Sequence, residues 1–106
     1  MIETPRLTVS QANLQIDRTA KHPRITLETI KAKIADVNYL VDHTLTICVI
    51  TLDNGFRIVG KSAPAHPDNF DPEVGKTFAY EDAIKQVWPL MGFLLTESLH
   101  QERARG

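Results

Sequence analysis

Thr44 to Leu52 reads TLTICVITL, a run dominated by β-branched side chains, and Asp53-Asn54-Gly55 follows it directly. β-Branched residues suit the pleated, half-buried surface of a strand. Asn and Gly accept the positive φ of a tight hairpin turn, so the chain is expected to reverse there. Phe56 to Ala63, FRIVGKSA, is then the return strand, and Gly60 inside it marks a bulge or a close backbone approach. Upstream, Val37, Tyr39 and Val41 alternate with Asn38, Leu40 and Asp42, and His43-Thr44 supplies a turn. These segments predict a three-stranded antiparallel meander, and the rest of the chain must be arranged around it.

The flanks read as helices. Thr26 is a good N-cap for LETIKAKIA, in which Leu27, Ile30 and Ile34 share one helical face, predicting a helix over 27–35. Pro64, Pro67 and Pro72, with Asp68, Asn69 and Asp71 among them, make residues 64–72 a rigid loop. Asp71 then caps a second helix with Pro72 at its first position. Trp88-Pro89 is expected to interrupt it, because proline removes a donor and disfavours helical Trp88. Leu90, Phe93, Leu94 and Leu99 continue in a last segment. The fold class is α+β, ordered α-β-β-β-α: a three-stranded antiparallel β-meander flanked by an N-terminal helix and a long, Pro-interrupted C-terminal helix. The expected organisation is an N-terminal arm over 1–25, one domain over 26–100 and a polar tail over 101–106.

Composition narrows the function classes. With 106 residues, 24% charged and a net charge of -1, the chain suits one folded domain and not a protein that holds nucleic acid mainly by charge. No apolar run approaches the roughly 18 residues that span a bilayer. The opening MIETPRLTVSQ has no basic-then-apolar leader, so the cytoplasm is the expected compartment. A single cysteine, Cys48, excludes an internal disulfide and a multi-cysteine zinc site. On the central strand Leu45, Ile47 and Val49 point one way and Thr46, Cys48, Ile50 and Leu52 the other, so both faces are largely apolar. One face suits helices. The second needs the arm or another subunit, and Thr46, Cys48, Ile50 and Leu52 are the row expected to form the interface of a homo-oligomer.

No catalytic constellation emerges, and the chain is expected to be non-enzymatic, without cofactor or metal. Cys48 sits mid-strand as a small hydrophobe. His22, His43, His66 and His100 are scattered, and His66 with Asp68 and Asp71 is explained by a turn and a helix cap. Ser62 lacks the G-x-S-x-G context of a strained nucleophile, and Gly75-Lys76-Thr77 lies inside a helix instead of after a strand. A binding role draws on different residues. Arg24, Arg57, Lys61 and Lys76 can present charge to a small anion, beside Ser62, Asn69 and the amides at the second helix start. Tyr39, Phe56, Phe70 and Tyr80 are stacking candidates for a base. The αβββα order with Lys76 near the second helix start also resembles the double-stranded RNA-binding domain, making a nucleic-acid-binding module the alternative. Acidic Asp71 and Glu73 beside Lys76 weigh against it.

A closer likeness comes from a succession of motifs. Pro23-Arg24-Ile25-Thr26, Thr46-x-Cys48, Asn54-Gly55-Phe56, Gly60-x-Ser62, Asn69-Phe70-Asp71, Gly75, Ala79, Ala83 and Trp88-Pro89-Leu90-x-Gly92-Phe93-x-Leu95 occur in order over roughly residues 22–96. This pattern resembles a family of small tailed-bacteriophage proteins labelled by phage gene products 49 and 66. Met91 stands where that family has an acidic residue, and Phe93 where it often has tyrosine. The resemblance implies a phage or prophage accessory protein acting in the bacterial cytoplasm and implies no reaction. For such a protein the expected partners are a host antiviral protein or its nucleotide signal.

Overall fold

The computed structural model describes residues 22–106 together with Arg6, Thr8, Val9, Gln11 and Ala12. Most of the arm expected over 1–25 lies outside the described residues. The order of elements is α1 (Leu27–Ala32), β1 (Ile34–Asp42), β2 (Leu45–Leu52), β3 (Arg57–Ser62), a 3-10 turn (Pro67–Asn69) and α2 (Pro72–Arg105). This is the α+β, α-β-β-β-α arrangement read from the sequence, with strand order β1-β2-β3 and both pairings antiparallel.

Each element begins for a local reason. Thr26 Oγ1 accepts from the Thr29 amide at 3.1 Å and caps α1. The helix ends after Ala32, sooner than the periodicity predicts, because Ile34 opens β1 opposite Leu52. The Asp53 amide donates to the Lys33 carbonyl at 2.7 Å, which pins the end of α1 to the β2–β3 turn. In that turn Gly55 takes a φ of 90°, and the Asn54 side chain accepts from the Phe56 amide at 2.9 Å. Asp71 Oδ1 accepts from the Glu73 amide at 2.9 Å and starts α2, with Pro72 in the first turn.

Pro89 does not end α2. The helix runs unbroken from Pro72 to Arg105, about 50 Å at the usual rise, and takes in the stretch read as a polar tail. Pro89 removes one hydrogen bond to the preceding turn. Val87 and Met91 on either side of it are both buried against the sheet, and that packing holds the two halves in line.

Cys48, Ile50 and Leu52 of β2 form the core with Ile58 of β3, Ile30 of α1, and Ala79, Ala83, Ile84, Val87 and Met91 of α2. Thr46, Cys48, Ile50 and Leu52 were the expected subunit interface, and here the chain's own helix takes that row. Thr46, Cys48 and Ile50 are fully buried. The opposite row, Leu45, Ile47 and Val49, is only half-buried, flanked by exposed Leu40 and Val59. The sequence pattern identifies two apolar rows but carries no sign of which one α2 selects. Gly60 makes the choice: it lies on the same face as Cys48 and lets the α2 backbone sit directly on β3 beside Ala79 and Ala83. Side chains of α2 also bind the free edge of β3, with Asp82 accepting from the Lys61 amide at 2.9 Å and Gln86 donating to the Val59 carbonyl at 2.7 Å.

Candidate functional site

Seating α2 on β2 and β3 leaves its first turns beside β1, and a cleft opens there. Tyr39 of β1 forms one wall; Glu73, Lys76, Thr77 and Tyr80 of α2 form the other, around a volume of about 350 Å³. That volume is at the small end of ordinary ligand sites. The register of β1 on β2 puts Tyr39 opposite Cys48, and the helical spacing of Lys76 and Tyr80 puts both on one face. Lys76 Nζ stands 5.7 Å from the centre of the Tyr39 ring, within cation–π range. It also lies 3.7 Å from a Glu73 carboxylate oxygen. That pair is exposed on the Glu73 side, so it contributes little and an incoming anion displaces Glu73 easily. Burial pushes the Tyr39 phenol above its ordinary range, and the neighbouring Cys48 and Tyr80 push it further, so the hydroxyl remains a protonated donor at neutral pH.

The eight residues proposed from sequence for a ligand do not converge on one place. Lys76 and Tyr80 line the cleft just described. Ser62, Asn69 and Phe70 line a second, smaller hollow of about 210 Å³ with Asp71 and Gly75, at the start of α2. Arg57 and Lys61 lie exposed on β3, and Arg24 is exposed ahead of α1. Thr77 and Glu73 join the site without having been singled out as ligand residues. Their signal was only their position within a turn of Lys76, visible once the helix is known to be unbroken there. Tyr39, a stacking candidate on the sequence, gains its place from strand pairing, which spacing along the chain does not reveal.

The other candidates resolve into structure. His66 Nδ1 accepts from the Asp68 amide at 3.1 Å and caps the 3-10 turn, so His66 and Asp68 serve the loop. Among the described residues no group of three or more His, Cys, Asp and Glu side chains is placed to hold a metal ion. Cys48 is buried in the core, and burial pushes its thiol up, against the opposing effect of a hydrogen bond with Tyr39. Met91 is a core residue on the sheet-facing side of α2, whereas Phe93 stands 67% exposed near Phe56 at the β2–β3 turn. No helix among the described residues is long and apolar enough to cross a membrane.

No curated protein and no solved structure gives a match to the chain. A family model does, over residues 25–99, from the last residues before α1 through most of α2. That span holds the whole sheet, both clefts and the motifs that run from Ile25 to Leu95, and the chain belongs to the Phage protein (N4 Gp49/phage Sf6 gene 66) family.

Proposed function

We propose that the protein acts by binding and without catalysis, as a phage accessory protein in the bacterial cytoplasm that captures the nucleotide signal of a host antiviral system. The observation that carries this reading is the cleft between β1 and α2, where Lys76 stands over the Tyr39 ring and Tyr80 lines the same hollow. A nucleotide offers an aromatic base and an anionic phosphate a few ångströms apart. Tyrosine faces stack on any base, and an ammonium group pairs with phosphate as a point charge. The Thr77 hydroxyl lines the α2 wall; it donates to the Glu73 carbonyl at 3.0 Å and leaves its oxygen as an acceptor. Duplex RNA is less well served, because the start of α2 offers a single lysine, Lys76, to a backbone whose many phosphates call for a cluster of them.

Isothermal titration of the full chain with mononucleotides, cyclic dinucleotides and inorganic phosphate tests the reading. Saturable binding of base-bearing probes, stronger than that of phosphate and weakened at least tenfold by Lys76→Ala, is expected. Failure of every nucleotide to bind, or binding unchanged by Lys76→Ala, refutes it.

A further inference from the structure

Strand register gathers Leu40 of β1, Leu45, Ile47 and Val49 of β2, and Val59 of β3 on the sheet face that α2 leaves open. Leu40 and Val59 are 60% and 53% exposed, so this face is one contiguous apolar patch. The same register sorts the charges of that face onto opposite edges. Asp36 and Asp42 stand on β1, and Arg57 and Lys61 stand on β3.

These charges do not serve the chain's own fold. Asp36 and Arg57 both pair with Thr51, one from each side, so they share a level of the sheet. Two strand spacings separate them, about 10 Å, too far for an ion pair within one sheet. Among the described residues Asp36, Arg57 and Lys61 make no ion pair at all. The Asn38 side-chain amide donates to the Asp36 carboxylate at 3.0 Å and helps to hold it on this face.

An acidic edge, an apolar centre and a basic edge complement the same face of a second copy, in one orientation. With a two-fold axis along the strands, β1 of each copy lies over β3 of the other. Levels are kept, so Asp36 meets Arg57 of the second copy, twice by symmetry. Ile47 and Val49 then stack on their own counterparts, and Lys61 comes within one level of Asp42. With the axis across the strands β1 lies reversed over β1, Asp36 meets Asp42, and the acidic edges repel. We infer that the open sheet face is a two-fold interface, at which two copies of this chain form a β-sandwich with the acidic edge of each over the basic edge of the other. Tyr39 and α2 lie on the opposite side of the sheet, so both Tyr39–Lys76 clefts stay open and the inference does not depend on nucleotide binding.

Sedimentation equilibrium of the full chain tests it, with circular dichroism confirming that each variant is folded. The parent is expected to be a dimer. Ile47→Asp, which puts a carboxylate at the centre of the interface and leaves the core under α2 untouched, is expected to make it monomeric. Asp36→Arg and Arg57→Asp each place like charges opposite one another at two symmetric sites and raise the dissociation constant about tenfold. The double variant carrying both changes restores it, because the charges are complementary again. A dimer indifferent to Ile47→Asp, or a double variant no tighter than the singles, overturns the inference. So does a dimer tightened by Asp36→Arg, which is the response of the reversed orientation, or one that only Phe93→Asp dissociates, which moves the contact to α2. A monomeric parent overturns it as well, and dimerisation on removal of residues 1–21 then assigns the face to that segment.

Discussion

Gly60→Ala tests the placement of α2 on the sheet. A methyl group added at Gly60 falls 2.8 Å from the Ala83 Cβ and closer still to the Ala79 carbonyl oxygen and the Ala83 amide nitrogen. Two of these three atoms are helix backbone, and no rotamer change moves them aside. The helix must lift away from β3, and the lift is felt at Ile58, Ala79, Ala83 and Val87, which pack there. Overpacking a tight core destabilises by 1–3 kcal/mol, and a rigid backbone obstacle belongs at the upper end, about 3 kcal/mol. For a domain near 100 residues that lowers Tm by about 15 °C. Thermal melts by circular dichroism at fixed protein concentration measure it, with urea titration to confirm that the midpoint moves while the slope does not. A Tm change of only a degree or two contradicts the close seating of α2 on β3, and with it the position of Lys76 over Tyr39.

Three further outcomes follow from Thr46, Cys48 and Tyr39. Thr46 is fully buried and its hydroxyl has no hydrogen-bond partner among the described residues, so Thr46→Val, which keeps the shape, is expected to stabilise the fold by about 1 kcal/mol in urea titrations; a loss of stability contradicts the orphan assignment. Cys48 and Tyr39 both ionise later in the folded chain than is ordinary, each chiefly because of burial. Their contribution to stability is therefore complete below the ordinary thiol range and is lost as pH rises through about 8.5 to 10. Urea titrations across that range should show falling stability, less so in a Cys48→Ala, Tyr39→Phe variant. A thiol reagent should leave Cys48 unmodified until the protein unfolds.

Local chemistry made much of this fold legible. The Asn54-Gly55 turn, the Thr26 and Asp71 caps and the β-branched strand each state their conformation within a few residues. Pro89 misleads for the same reason: its local effect is to break a helix, and burial of Val87 and Met91 overrides it from outside the segment. The two apolar rows of β2 were visible, but the choice between them belongs to Gly60, whose role depends on a helix nearly twenty residues away. The candidate site divides likewise. Lys76 and Tyr80 are neighbours on one helix and were named together, while Tyr39 reaches them through the pairing of β1 with β2. Arg24, Arg57 and Lys61 were grouped with them by charge alone, and charge carries no information about which elements meet.

The central claim is that this phage-family chain binds a nucleotide in the Tyr39–Lys76–Tyr80 cleft, and native mass spectrometry of the protein purified from a bacterium with active antiviral signalling tests it most directly. The account predicts the protein carrying extra mass of nucleotide size, absent from the Lys76→Ala variant. A bare chain, or one whose added mass is a host polypeptide and persists in Lys76→Ala, contradicts it.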